Sequence, residues 1–373
     1  MKKKNSLFQK IINSKSVRVN EPAIPNKRKI FNSFNKIFKS RWLTNHGQYE
    51  QKLEKKLKNI FGVKNVILCS NGTSSLLVAL KSMNIKGKVI TTPFSFPATI
   101  NSLLFLNLKY EFVDIDYSTL NMDVKKIKQN KVRSSDVILG VHVFGRPCDL
   151  EGLEKIKKQK KIKLIYDLSH CFGIKLKNRK NIFNFGDIGI MSFHATKHFH
   201  TTEGGAIITN NNILAKKCRQ LVNFGFYKDN FVSPGINAKL NEFSSAIGLE
   251  NLKTLKEIVI KKKNNYHLYK KYLTKKIHLK AENSEYISNF HYLPAIFPNE
   301  KLLVKTIKEL NKNYIYPRRY FYPSLNKLSY LNNQKNMPNS EKASKRIICL
   351  PTHHTLKKNQ ILKTINIINR ILN

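Results

Sequence analysis

Between Val66 and Asn210 the chain keeps one alternation, and it leaves few folds open. Short apolar runs ("VILCS", "KVITT", "EFVDI", "VILGVHVF", "KLIYDLS", "GIMSF", "AIITN") are interspersed with helical stretches, "SSLLVALKSM", "PATINSLLFLN" and "DLEGLEKIKKQ". Strands alternating with helices predict an α/β domain with a mainly parallel sheet and helices on both faces. Ligands of such sheets bind at the carboxyl ends of the strands. "SNGT", "DLSH" and "SFHATK" all fall just after strand-like runs. Three separate segments are therefore expected to converge on one site.

Upstream, "GQYEQKLEKKLKNIFG" sets Tyr49, Leu53, Leu57, Ile60 and Phe61 on one helical face and offers Gly62 as its C-cap. Downstream of "SPGINAK", the helical stretch "NEFSSAIGLENLKTLKEIVI" leads into a smaller C-terminal domain. The expected division is a basic arm over 1–25, a large domain over 26–245 and a small one over 246–373. The N-terminal "MKKKNSLFQKIINSKSV" has neither a continuous apolar segment nor a small-residue cleavage site. It reads as a mobile arm rather than a signal peptide. The longest apolar runs are strand-sized, so no transmembrane helix is expected, and the expected location is the cytoplasm.

The formal net charge is +45. Such charge attracts polyanions: nucleic acid, acidic membrane or phosphorylated metabolites. Yet only 11 of the 68 basic residues are arginine, and nucleic-acid readers lean on arginine for bidentate contacts. The lysines spread over the whole length, which reads as a global bias placed on solvated faces. In the densest run, 260–280, Tyr266, Tyr269, Leu273 and Ile277 fit one helical stripe. That stripe is better used for packing than for stacking bases. Cys69, Cys148, Cys171, Cys218 and Cys349 are scattered, odd in number and without a CxxC pair. Neither a disulfide framework nor a structural zinc site is indicated.

Each chemical segment has a plain reading beside a functional one. "SNGTSSL" puts Ser70, Gly72, Thr73 and Ser74 at a strand-to-helix junction, either a phosphate cradle or an ordinary N-cap. It is neither a Walker motif nor GxGxxG. In "YDLSHCFG", Asp167 ends an apolar strand and His170 lies three residues on. The carboxylate can hold a cationic ring nitrogen, or simply cap the next turn. "MSFHATKHFHTTEGGAIITN" holds His194, His198 and His200 around Lys197. A cation between the histidines is an awkward neighbour for a metal, so no metal is expected and the imidazoles read as packing or orienting groups. Lys197 is more telling, because a lysine in a partly desolvated pocket can form a Schiff base. Phosphate cradle, strand-end Asp and strand-end Lys, in that order, match what a pyridoxal-phosphate site requires.

At this point the residues reach a family. The sequence resembles the DegT/StrS sugar aminotransferases from "RWLTNHGQYEQKLE" at Arg41 to "CLPTHHTL" at Cys349. Between them stand "SNGTSSL", "TTPFSFPAT", "FVDID", "VHVFGRPCD", "YDLSHCFG", "GDIGIMSFHATKHFHTTEGGAIITN", "GINAKLNEFSSAIGL" and "RRYFYPSL". The resemblance implies a fold-type I pyridoxal-phosphate transferase, with a smaller C-terminal α+β domain. It implies Lys197 as Schiff-base lysine, Asp167 on the pyridinium nitrogen and His170 on the ring's phenolic oxygen. It implies Phe96 stacked on the cofactor, and Gly72, Thr73, Ser74 and Ser192 around its phosphate. Asn237 would reach that phosphate from a neighbouring subunit, so a homodimer with shared sites is implied. Arg318, Arg319 and Tyr320 are candidate contacts to a sugar nucleotide, or else a surface turn.

The implied activity is transfer of an amino group, glutamate being the donor, to a nucleotide-linked 4-keto-6-deoxyhexose destined for lipopolysaccharide or related glycans. Amination of a 3-keto sugar and a sugar dehydratase of the same fold are the rivals, with a nucleic-acid-binding protein more remote. The dehydratases replace the Schiff-base lysine, and Lys197 counts against them. Leu168 and Ser169 stand where alanines are common, Lys239 where Arg is usual, and Arg146 where Asn often occurs.

Overall fold

The computed structural model describes residues 16–178, 180–280, 285–331 and 335–373. The first 15 residues of the expected basic arm lie outside them. The described chain enters through β1 (Val17–Arg18), α1 (Lys27–Ser40) and α2 (Gln48–Phe61). It continues as β2 (Asn65–Cys69), α3 (Gly72–Ser82), β3 (Val89–Thr91), α4 (Ala98–Phe105), β4 (Tyr110–Phe112) and β5 (Val137–Val141). Then come α5 (Leu150–Lys160), β6 (Lys163–Asp167), β7 (Lys175–Leu176), β8 (Ile188–Ser192), β9 (Gly205–Thr209) and α6 (Asn212–Leu221).

The main sheet has the order β2-β9-β8-β6-β5-β3-β4. β8, β6, β5, β3 and β4 pair in parallel, and β9 pairs antiparallel with both β8 and β2. The sheet is therefore mainly parallel, with β9 the reversed strand. Its strands are buried along almost their whole length because helices cover both faces. On one face α2 contributes Leu53, Leu57 and Phe61, and α5 contributes Leu153 and Ile156. On the other, α3 contributes Leu76 and Leu80, α4 Ile100 and Leu103, and α6 Leu221. Ile60 departs from the expected stripe: it is 53% exposed, one residue past the buried face. Gly62 caps α2 with φ 60°, its N–H returning to Asn59 and Lys58 carbonyls.

After the hairpin β10 (Phe226–Tyr227) and β11 (Asn230–Phe231) comes α7 (Glu242–Asn251), which packs on α1 and α2. This helix crosses the expected boundary at 245/246; a division after Asn251 leaves it whole. The remainder runs α8 (Leu255–Tyr272), β12 (His278–Leu279), β13 (Tyr286–Ile287), β14 (Leu293–Ile296), α9 (Glu300–Lys312) and β15 (Ile315–Tyr316). It ends with α10 (Pro338–Arg346), β16 (Ile347–Leu350) and α11 (Lys358–Leu372). β12, β14 and β16 form an antiparallel sheet. Its core takes Leu303 and Leu310 from α9, Ile361, Ile365 and Ile368 from α11, and Tyr266, Tyr269 and Ile277 from the lysine-rich run.

The described end of the expected arm is not free. Val17 and Arg18 pair in parallel with Ile315 and Tyr316, and Val19 and Ala23 are buried. All five cysteines are buried and unpaired. No described helix is long and apolar enough to cross a membrane.

Candidate active site

The carboxyl ends of β2, β3, β5, β6 and β8 open onto a cavity of about 300 Å³. Gly72, Thr73, Phe96, Asp167, His170, Ser192, Lys197, Arg318 and Tyr320 line it. The predicted convergence of three strand-end segments is thus present in the fold. A larger cleft of about 1180 Å³, between residues 116–118 and the end of α8, is lined by none of these residues.

The cradle begins at the start of α3. Asn71 is the N-cap, and its side chain accepts the Ser74 N–H at 2.8 Å, while Ser74 Oγ accepts the Asn71 N–H at 3.2 Å. This reciprocal box holds the helix start open toward the cavity. It also occupies Ser74, which does not line the cavity and so differs from the expectation that it would face a phosphate. A Cβ at Gly72 would lie 2.8 Å from Ser192 Cβ. Glycine lets α3 and β8 approach, leaving the Gly72 and Thr73 N–H groups in the first turn, where no intrahelical acceptor exists.

Asp167 ends β6, and its carboxylate accepts the Ser169 N–H at 2.9 Å. Burial raises its pKa, opposed by the Ser169 contacts and the Lys197 charge. His170 Nδ1 accepts the Phe144 N–H at 3.1 Å. Burial holds this imidazole neutral, well below its usual pKa, with Lys197 acting the same way. A neutral ring accepting at Nδ1 carries its proton on Nε2. The Lys197 amine lies 5.9 Å from the Tyr292 ring centre. Burial pulls its pKa down to about 8, against the opposing pull of Asp167. Such a shift in a cleft, with a carboxylate partner, is typical of functional amines. Phe96 remains 54% exposed at the cavity, free to receive a planar group.

The three histidines around Lys197 do not converge. His194 Nδ1 contacts Thr196 Oγ1 at 2.8 Å, His198 Nε2 meets the Asn289 carbonyl at 2.5 Å, and His200 Nε2 meets the Ala23 carbonyl at 2.9 Å. Among the described residues, His46, Glu50 and Glu54 lie close enough to share an ion. None lines the cavity, and Glu54 already binds two Arg219 nitrogens at 3.1 and 2.9 Å.

Arg319 corrects an expectation. Its guanidinium bonds Glu300 at 2.8 Å and lies 3.3 Å over the Tyr322 ring, outside the cavity. Arg318, its neighbour, lines the cavity 5.2 Å from the Tyr320 ring. Arg146 is buried and bonds the Thr119 carbonyl at 2.9 Å, which makes it a strut. Asn237 is exposed and lies outside the cavity of its own chain. Tyr292 and Phe321 are cavity residues that the sequence reading missed. "NFHYLPAIF" reads as one apolar strand, and only its fold-level placement aims Tyr292 at His170, 4.8 Å between ring centres.

Residues 25–369 match the model of the DegT/DnrJ/EryC1/StrS aminotransferase family. The chain is 33% identical over 365 residues to a dTDP-4-amino-4,6-dideoxy-D-glucose transaminase of Shigella dysenteriae, covering 96% of this chain and 99% of that one. It is 27% identical to a GDP-perosamine synthase of Escherichia coli O157:H7, covering 95% and 98% of the two chains. Among solved structures, DesI in the presence of its TDP-sugar product superposes with a TM-score of 0.90 at 25% identity, covering 96% of this chain and 93% of DesI.

Proposed function

The chain belongs to the DegT/DnrJ/EryC1/StrS aminotransferase family, and we propose that it transfers an amino group from glutamate to carbon 4 of a nucleotide-linked 4-keto-6-deoxyhexose. The similarity to the Shigella dysenteriae transaminase along nearly the whole of both chains carries the substrate reading. The family is pyridoxal-phosphate-dependent, and the residues present fit that cofactor. Gly72 keeps clear the space a Cβ would fill beside Ser192, and the first-turn N–H groups of α3 suit a phosphate. A half-buried carboxylate, a desolvated amine and an exposed aromatic ring line the same cavity.

When bound, the cofactor would supply a ring that withdraws electrons from the carbon losing its proton. Asp167 would keep the ring nitrogen protonated by opposite charge. His170 would donate its Nε2–H to the phenolic oxygen. Gly72, Thr73 and Ser192 would hold the phosphate, and Phe96 would cover one ring face. Lys197 would anchor the cofactor through its Nζ. The same Nζ would take the donor's α-proton and redeliver it. A pKa near 8 suits an amine for this work close to neutral pH. The same groups run in reverse when nitrogen passes to the sugar.

Arg318 and Tyr320 would contact the sugar nucleotide. Asn237 would reach the phosphate in a partner's site, making a homodimer. Exposed Phe224, Phe226, Phe231, Val232 and Ile236 around it support a covered surface there. A cytoplasmic reaction serving lipopolysaccharide or a related glycan completes the proposal.

Purified, cofactor-loaded protein should aminate dTDP- or GDP-linked 4-keto-6-deoxyhexose with glutamate. Proton NMR of the product should locate the new amine at position 4. An amine at position 3, loss of water in place of amination, or turnover confined to free amino acids rejects the proposal.

A further inference from the structure

We propose that Asn289 is a positioning residue: it ties the loop carrying His170 and the turn carrying Lys197 to one buried point of the C-terminal part. The inference goes beyond the substrate reading and rests on the proposed roles of Lys197 and His170.

Asn289 lies between β13 and β14 and is 2% exposed. Its Nδ2 donates to the His170 carbonyl at 2.8 Å and to the Phe172 carbonyl at 2.9 Å. Its Oδ1 accepts the His291 N–H at 3.0 Å. The partners fix the orientation of the amide, because two carbonyls require the donor and an N–H requires the acceptor. Its own carbonyl takes the His198 Nε2 contact at 2.5 Å. His198 directly follows Lys197. A single residue therefore holds the main chain of His170 and the side chain adjoining Lys197.

The need for such a tie follows from the topology. The β6–β8 ladder pairs residues 165–167 with 188–190 and goes no further. His170 and Lys197 both lie beyond it, in irregular chain. β13 brings Asn289 in by pairing with β7, Tyr286 against Leu176. Three residues after Asn289, Tyr292 enters the cavity wall against His170. Proton transfer depends on placement, and an error of about 1 Å can cost roughly 100-fold in rate. Removing the Asn289 side chain leaves the part-buried His170 carbonyl and the buried Phe172 carbonyl without their donor, and the His170 loop must shift to find another. Asp167 and Lys197 stay in place, so cofactor binding survives.

Two variants of the full chain test this: Asn289→Ala, and His198→Phe, which cuts the other arm without touching Asn289. In each, kcat should fall about 100-fold while KM for both substrates stays within about 3-fold. The pH midpoint of the bound cofactor's visible absorbance should move as well. In cofactor-free protein, amides of 168–173 should exchange faster with solvent in Asn289→Ala. A folded Asn289→Ala protein with wild-type kcat and an unmoved midpoint overturns the proposal. So does a kcat loss with an unmoved midpoint and unchanged exchange, which marks a packing residue. If Asn289→Ala does not fold, His198→Phe decides by the same kcat and midpoint. Wild-type protein that bound cofactor but aminated no 4-keto sugar would reject the substrate reading alone, because the midpoint and exchange measurements need no sugar.

Discussion

Lys262 is buried and Lys197 half-buried, and desolvation lowers the pKa of each, to about 7 and about 8. Lys197 faces the cavity and has Asp167 to favour its charge. Its replacement by Ala should abolish transamination and leave the fold, because the proposed mechanism makes the amine both anchor and proton carrier. Circular dichroism with a coupled assay checks this, and wild-type turnover would remove Lys197 from the reaction. Among the described residues, Lys262 bonds neutral oxygens, Asn20 Oδ1 at 2.9 Å and the His291 carbonyl at 3.4 Å. Below about pH 7 folded and unfolded chains both carry its charge, and the burial penalty is complete. Between about 7 and the ordinary value of 10.5 the unfolded chain binds the extra proton, so stability rises with pH. Denaturant unfolding of cofactor-free Lys262→Met should show a flatter rise across that window. The cavity lysine was legible because its neighbours Asp167 and "SNGT" end strands in a fixed order. Lys262 was not, since one lysine among many in "IKKKNN" gives no sign of burial.

At the scale of elements, the sequence carried strand ends well and side-chain phase poorly. The strand-to-turn junctions are local, so Gly72, Asp167 and Lys197 could be placed from short segments alone. Arg318 and Arg319 show the limit. Adjacent residues of extended chain point to opposite sides, and nothing in "RRYFYPSL" says which side is the cavity. The fold decides by pairing Arg318 with Cys349 of β16, which sends Arg319 toward Glu300 at the start of α9. Arg318→Ala should therefore raise KM for the sugar nucleotide with little change in melting temperature. Arg319→Ala should do the reverse, losing about 1 kcal/mol for a partly exposed ion pair and leaving KM alone. Steady-state kinetics beside thermal unfolding separates the two, and equal KM effects would return Arg319 to the substrate. Ser74 belongs to the same scale: "NGTS" reads as cradle or cap, and the helix start uses Asn71 as cap and Ser74 as its reciprocal partner in the capping box.

For the whole molecule, the contact that the proposed function most depends on would join two chains. Asn237 stands exposed, outside its own cavity, beside an apolar surface that includes Phe231 at 73% and Val232 at 54% exposure. A monomer rarely shows water so concentrated an apolar patch, and an isologous dimer would place each such surface against the other chain. If Asn237 serves a partner's phosphate, Asn237→Asp sets a carboxylate against that anion and should inactivate both sites of its own dimer. Lys197→Ala inactivates both sites of its dimer for a different reason. Mixed and allowed to exchange, the two form hybrids in which one site has both lesions and the other has neither. Random exchange at equal amounts makes half the dimers hybrid, and each has one whole site in two. About a quarter of the wild-type rate should then return, read against either variant alone. Exchange is verified separately by native mass spectrometry of differently tagged chains. If hybrids form and no activity returns, each site is built from a single chain, and Asn237 serves no partner.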